Sequence, residues 1–162
     1  AAAAFVLVFG ALFAWFVFER APHIHDEISY RFQARLIASG RLSAPSPCAR
    51  DFFDFPHTIN NGRWYSMYTF GYPLLLAAAV LLGAPWLLNP LLGALTILLF
   101  FALGRELYGR ATGVLAALLG AASIWLLLMS SSLMNHASSL LFASLFLLCL
   151  FRSLRAPSLR TQ

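Results

Sequence analysis

Arg105-Glu106-Leu107-Tyr108-Gly109-Arg110 stands between an apolar run at 89–104 and another at 113–133, and its reading decides the fold. Cytoplasmic loops of membrane proteins collect Arg and Lys, so two arginines in so short a turn mark an inner turn between two crossings. Arg152, Arg155 and Arg160 come after a further apolar run at 138–151 and form a second basic cluster. With both clusters in the cytoplasm, 113–133 runs outward, 138–151 returns, and Met134-Asn135-His136 lies outside. Run 89–104 then enters from outside. Run 2–18 starts in the cytoplasm and leaves the whole stretch 19–88 external. Within that stretch, Tyr72 to Ala84 is short for a span, and Pro85-Trp86 and Asn89-Pro90 break the apolar run beyond it. An interfacial or re-entrant helix fits it better, because a crossing there would put Arg105 and Arg110 outside, against the charge bias.

The expectation is an all-α, multi-pass membrane protein with about four transmembrane helices, at 2–18, 89–104, 113–133 and 138–151. An external loop at 19–88 carries interfacial helices at 26–39 and 72–84, and a cytoplasmic tail occupies 152–162, all in a single membrane domain. Composition agrees: 60% of residues are hydrophobic and 10% charged, with mean hydropathy +0.77, outside the range of soluble domains. All eleven basic residues are Arg, and the net charge of +5 is read by location, so it does not point to nucleic acid. Cys48 in the loop and Cys149 in an apolar run suggest neither a disulfide framework nor a metal-ligand spacing. Ala1-Ala2-Ala3-Ala4 has no initiator Met and no charged flank, so the sequence is expected to begin within a longer chain.

Asp26-Glu27, in His23-Ile24-His25-Asp26-Glu27 just beyond the first apolar run, is the chemically conspicuous pair. Ionised groups near hydrocarbon are costly unless they bind or react. The segment 26–39 reads as an amphipathic helix, with Ile28, Phe32 and Leu36 on one face, Glu27, Arg31 and Arg35 on another, and Gly40 as its stop. Two carboxylates in its first turn complement the helix dipole, which is a structural reading of the pair. The functional reading is an external base for an acceptor hydroxyl, or a ligand for a cation that neutralises a phosphate leaving group. Arg31 or Arg35 could contact a phosphate from the same helix, or be merely solvated.

Asn60-Asn61-Gly62-Arg63-Trp64-Tyr65-Ser66-Met67-Tyr68-Thr69-Phe70-Gly71-Tyr72-Pro73-Leu74 forms the second external group, a turn opening into an aromatic approach to an apolar helix. Tyr and Trp suit a membrane interface, while Arg63 beside aromatic rings also suits a lipid phosphate or a sugar face. Two imidazoles and a carboxylate are an acceptable first shell for a divalent metal, so His23 and His25 with Asp26, or His25 and Asp26 with His136, are candidate ligands for a metal cofactor. As loop residues they read equally as ordinary polar positions. Asn135 and His136, in the other external turn, converge on the same side as Asp26.

These residues carry a resemblance. Asp26-Glu27-Ile28-Ser29-Tyr30, with Ala34, Gly40 and Leu42 after them, resembles the first external loop of the GT-C glycosyltransferases, in the branch of protein mannosyltransferases, aminoarabinose transferases and rhizobial lipopolysaccharide sugar transferases. Asn61-Gly62-Arg63-Trp64-Tyr65-Ser66 through Tyr68, Gly71, Pro73 and Leu74 to Leu76 resembles a segment that in these enzymes often reads Gly-Lys/Arg-Trp-Tyr, then Tyr-Pro-Pro-Gly, then an apolar helix. The run 103–113 resembles their basic cytoplasmic turn. The resemblance implies an inverting transferase that takes a sugar from a polyprenyl-phosphate donor to a glycan, lipid or protein acceptor on the outer face of the cell membrane. It makes Asp26 the catalytic carboxylate and Glu27 the accompanying acid, with Tyr30 and Arg63 lining the cavity for carrier or acceptor. Arg31, Tyr65, Tyr68, Asn135 and His136 complete the expected substrate-binding set.

Two departures from the family pattern are Thr69-Phe70 where Pro-Pro is common, and Asn135-His136 where many relatives have an acidic residue. Family members usually continue through further spans, so the resemblance implies an N-terminal fragment, inactive alone. The competing readings are a polyprenyl-phosphate-binding module without catalysis and a small scaffold or transport subunit. Ion or proton transport predicts ionisable groups near the midplane of the spans, and the expected spans contain none.

Overall fold

In a computed structural model of the chain, residues 1–155 are described; Arg160 and the rest of the expected tail beyond Arg155 lie outside them. The described residues form eight α-helices and a small sheet: α1 (Ala2–Phe16), α2 (His25–Ala38), β1 (Ala44–Pro45), α3 (Arg50–Phe53), β2 (Thr58–Asn60), β3 (Arg63–Ser66), α4 (Gly71–Leu81), α5 (Leu88–Tyr108), α6 (Arg110–Ala122), α7 (Ile124–Ser131) and α8 (His136–Arg155). A 3-10 turn, Pro85–Leu87, leads into α5.

Helix α5 is the hub, packed against α1, α6, α7 and α8. Buried Val6, Ile97, Ala117, Ala121, Leu126 and Leu127 form the core where α1, α5, α6 and α7 meet, and Leu92, Ala137 and Leu141 join α5 to α8. Outward, these helices present apolar side chains such as Phe5, Leu12, Leu98, Leu119 and Phe146. An apolar exterior around a packed apolar core suits a lipid surrounding. Helix and preceding turn over Pro85–Tyr108, and helix His136–Arg155, are long and apolar enough to cross a membrane.

The α5 to α6 reversal needs a single residue between helices, Gly109, at φ 92°. Such a φ is accessible to Gly without steric cost. The two helices then run in close contact: a Cβ on Gly113 would lie 2.6 Å from the Phe101 carbonyl oxygen, and one on Gly104 would lie 2.9 Å from the Gly113 Cα. Small residues let apolar helices approach closely enough for dispersion to hold them. At this end Arg152 Nε lies 3.5 Å from Glu106 Oε2, and Arg155 donates to the Glu106 carbonyl. Both basic clusters that the sequence puts on one side therefore share one end of the molecule.

The observed helices differ in extent from the expected spans. Helix α1 ends at Phe16 rather than 18, and its 15 residues rise about 22 Å, less than a ~30 Å hydrocarbon core. The run 113–133 is not one helix: α6 and α7 meet at Ser123 with a 62° bend. Ser123 is extended (φ −70°, ψ 112°) and its hydroxyl accepts from Leu126 N, so it ends one helix and caps the next. The expected boundaries 89–104 and 138–151 widen to α5 and α8, which carry Arg105, Arg152 and Arg155 inside their last turns. Counting the bent pair as one, up to three spans meet the requirement of length and apolarity.

The loop at the opposite end is not purely helical. Strands β1, β3 and β2 form an antiparallel sheet in that order, with Ala44 opposite Trp64 and Thr58 opposite Ser66. Gly62 at φ 97° turns the β2–β3 hairpin. Helix α2 begins at His25 rather than 26, and α4 runs 71–81 where 72–84 was expected. Of the expected Ile28-Phe32-Leu36 face, Leu36 is buried and Phe32 half-buried, while Ile28 is not. Tyr30 and Ala34 pack against Tyr72, Leu76 and Ala77 of α4, while Ser29 and Gln33 are buried against β3, and Ile28 is exposed. The polar pair is buried because its partners satisfy it: Ser29 and Ser66 hydroxyls lie 2.7 Å apart, and Gln33 Oε1 accepts from Ser66 N at 2.9 Å.

Candidate functional site

Asp26 and Glu27 are neighbours in the first turn of α2, about 100° apart round the helix, and they enter different surroundings. Glu27 is 2% exposed. Its Oε2 accepts from His23 N at 2.7 Å, fastening the chain before the helix, and its Oε1 accepts from Leu133 N at 2.9 Å, fastening the turn between α7 and α8. A carboxylate that accepts two backbone N–H groups is compensated for burial. Asn89 holds the same turn from α5: its Nδ2 donates to the carbonyls of Ser132 (2.6 Å) and Met134 (2.7 Å), and its Oδ1 accepts from Tyr72 at 3.2 Å. Burial, with Glu27 nearby, pushes the Tyr72 phenol well above its ordinary range.

Asp26 faces the rim, its side chain 29% exposed. Tyr68 donates its phenol to Asp26 Oδ1, and His57 Nε2 lies 3.4 Å from the same oxygen. The two neighbours orient the carboxylate through Oδ1, and among the described residues Oδ2 accepts no hydrogen bond. His57 stacks on Tyr68 at 5.6 Å between ring centroids, Tyr68 lies tilted by 34° against Tyr30 at 4.6 Å, and Tyr30 meets Tyr72 edge-on at 5.1 Å. This aromatic ladder connects the rim to the buried Glu27 network. Burial and then the Asp26 hydrogen bond raise the Tyr68 phenol, and burial and then the Asp26 charge raise that of Tyr30. His57 adopts φ 67°, unusual for a residue with a Cβ, and its carbonyl accepts from the Ser29 hydroxyl at 2.6 Å and from Met67 N at 3.0 Å. Two hydrogen bonds thus hold a strained backbone.

Of the residues expected from sequence, Asp26, Tyr30 and Tyr68 come together. The others do not join them. Arg31 lies on another face of α2, where its Nη1 approaches the Arg20 carbonyl at 3.4 Å. Burial and then the charge of Arg35 lower the Arg31 guanidinium from its ordinary value. Arg63 is exposed at the far end of β3 and makes no ion pair among the described residues. Tyr65, half-buried, sits opposite Ile59 in the sheet. Asn135 is half-buried with its carbonyl accepting from Ser139 N, and exposed His136 meets Trp125 edge-on at 6.3 Å, lining a 510 Å³ cavity with residues of α5, α6, α7 and α8.

The expected metal ligands His25, Asp26 and His136 do not converge. Among the described residues no three His, Cys, Asp or Glu side chains gather to hold an ion. Asp26 and His57 supply two donors, and the shared oxygen already accepts from Tyr68, so this donor set does not make a metal site. His57 and Asn89 are the site residues that sequence reasoning missed. Asn89 carried a signal, as a polar residue in an apolar run, whereas a single His in Pro56-His57-Thr58 carried none.

Compared with family models, with curated proteins and with solved structures, the chain matches none.

Proposed function

We propose that the chain is the N-terminal part of a GT-C-type membrane glycosyltransferase. It moves a sugar from a polyprenyl-phosphate donor to a lipid, glycan or protein acceptor at the outer face of the cell membrane, with Arg105, Arg110, Arg152 and Arg155 on the cytoplasmic side. In this reading α1, α5, the bent α6–α7 pair and α8 are four crossings. The observation that supports it most is Asp26: a carboxylate oriented through one oxygen at a partly open rim, beside a second carboxylate wholly engaged in structure.

In the proposed step the acceptor oxygen attacks the anomeric carbon while Asp26 Oδ2 takes its proton. The bond from that carbon to the phosphate oxygen breaks, and the lipid phosphate leaves with the electron pair, so the configuration inverts. A positioned general base contributes about 10²–10⁴ in rate. In the full-length protein, Asp26→Asn is expected to lower sugar transfer by that factor while carrier binding is kept. Turnover equal to wild type would remove the catalytic assignment and leave a carrier-binding module.

A further inference from the structure

A second polar hollow lies on the opposite side of α2 from the Asp26 rim. Arg31 lies five residues beyond Asp26, about 140° round the helix, and with Glu19, Arg20, Ala21, Gly83, Pro85 and Trp86 it lines a cavity of about 390 Å³. Arg31 Nε is buried and has no hydrogen-bond partner, and neither Arg20 nor Arg31 is ion-paired among the described residues. Glu19 and Arg20 hold successive positive φ angles, 49° and 59°, which turn the chain back over the end of α1. The Arg20 guanidinium sits 3.9 Å over the Trp15 ring, and Trp15 meets Trp86 edge-on at 5.2 Å.

Apolar hollows adjoin it. Trp86 also borders an apolar hollow of about 380 Å³ with Leu7, Val8, Ala11, Leu12, Trp15 and Phe16. Val8 and Leu12 in turn border a further apolar hollow of about 380 Å³, which reaches Ala4. The three hollows share lining residues and follow the outward side of α1, roughly 18 Å from Ala4 to Phe16 at the helical rise. Guanidiniums at one end, two indoles at the junction and an apolar trough below have the polarity of a membrane lipid, with tryptophan at headgroup depth.

We propose that this is a binding site for a phospholipid of the surrounding membrane, its phosphodiester between Arg20 and Arg31 and one acyl chain along α1. Charge favours this occupant: two guanidiniums and the Glu19 carboxylate leave a single net positive charge, which matches the single negative charge of a phosphodiester. Arg20 and Arg31 both line the hollow, and charge-assisted bonds from guanidinium to phosphate are the strong class. The site does not depend on glycosyl transfer, since Asp26, His57 and Tyr68 take no part in it.

The test is native mass spectrometry of the delipidated chain titrated with dioleoyl phosphatidylglycerol, with dioleoylglycerol as the phosphate-free match. One phosphatidylglycerol is expected to be retained, with dioleoylglycerol held at least about tenfold more weakly. The Arg20→Gln, Arg31→Gln double variant is expected to lose affinity about tenfold, while Arg155→Gln at the other end and Asp26→Asn keep it. Leu12→Trp, which fills the trough and leaves both arginines, is expected to weaken phosphatidylglycerol and to spare inorganic phosphate. Equal retention of the two lipids, or unchanged affinity in both the double variant and Leu12→Trp, would overturn the site. Displacement of phosphatidylglycerol by tenfold less polyprenyl phosphate would overturn the phospholipid as its occupant.

Discussion

Two adjacent carboxylates divide structure and exposure between them, and the division is testable. Glu27→Ala strands the buried N–H of Leu133 and the part-buried N–H of His23, and it is expected to cost about 1–3 kcal/mol at the usual penalty for an unsatisfied buried donor. Asp26→Asn, at the rim, should leave thermal unfolding within about 0.5 kcal/mol of wild type. A calorimetric or circular-dichroism melt compares the two, and equal destabilisation would remove the distinction. The raised phenols of Tyr30, Tyr68 and Tyr72 set a window at alkaline pH. A group whose folded-state pKa lies above its unfolded value stabilises the fold fully below the unfolded value, near 10, and that contribution fades as pH rises beyond it. Tyrosinate absorbance should therefore show these three phenols ionising late. Their titration near pH 10 with the helices intact would contradict the burial described. Composition and spacing alone could not separate the acidic pair, because adjacent residues differ only in their angle about the helix; only the family resemblance assigns them different roles.

At the scale of elements, the α5–α6 hairpin depends on the absence of side-chain atoms. Gly113→Val would drive a Cβ to within 2.6 Å of the Phe101 carbonyl oxygen, and the overpacking is expected to cost about 1–3 kcal/mol or more. Gly71→Ala, with nothing within 4 Å of the added Cβ, is the matched control and should be near neutral. Denaturation monitored by the helical signal distinguishes them. Apolar run lengths made α5 and α8 legible in the sequence. The α6–α7 bend was not, because it rests on the extended backbone of one serine in an otherwise continuous apolar run. The buried face of α2 was partly misread for a related reason. Hydropathy ranks Ile28 above Ser29 and Gln33, but the two polar residues find satisfied partners 37 and 33 residues away in β3, and Ile28 stays exposed.

For the whole molecule, the basic residues carried the most readable information. Arg105, Arg110, Arg152 and Arg155 placed two clusters on one side, and Glu106 joins α5 to α8 at that end. The antiparallel order of the helices puts Asn61 and His136 toward the other end. In a chain with Cys48 and Cys149 replaced by Ser, cysteines at Asn61 and at His136 should react with an impermeant reagent from the same face. A cysteine at Tyr108 should react only from the opposite face. Shielding of His136 where Asn61 reacts would mean that α4 crosses and the order of spans is wrong. The convergence of His57 on Asp26 lay beyond sequence reading, since it depends on a sheet whose strands are two to four residues long.

The Glu27 to Leu133 bond joins positions 106 residues apart, which at ordinary rates of synthesis separates their appearance by roughly 5–20 s. During that interval the α2 carboxylate has only its local partner at His23. The carboxylate therefore gains its second partner only when the α7–α8 turn arrives, after α2 has already met α4 and β3. A nascent chain stopped before that turn is expected to leave Glu27 Oε1 without its Leu133 partner. The bond ties the start of α2 to the turn before the last described helix only once that turn has been made.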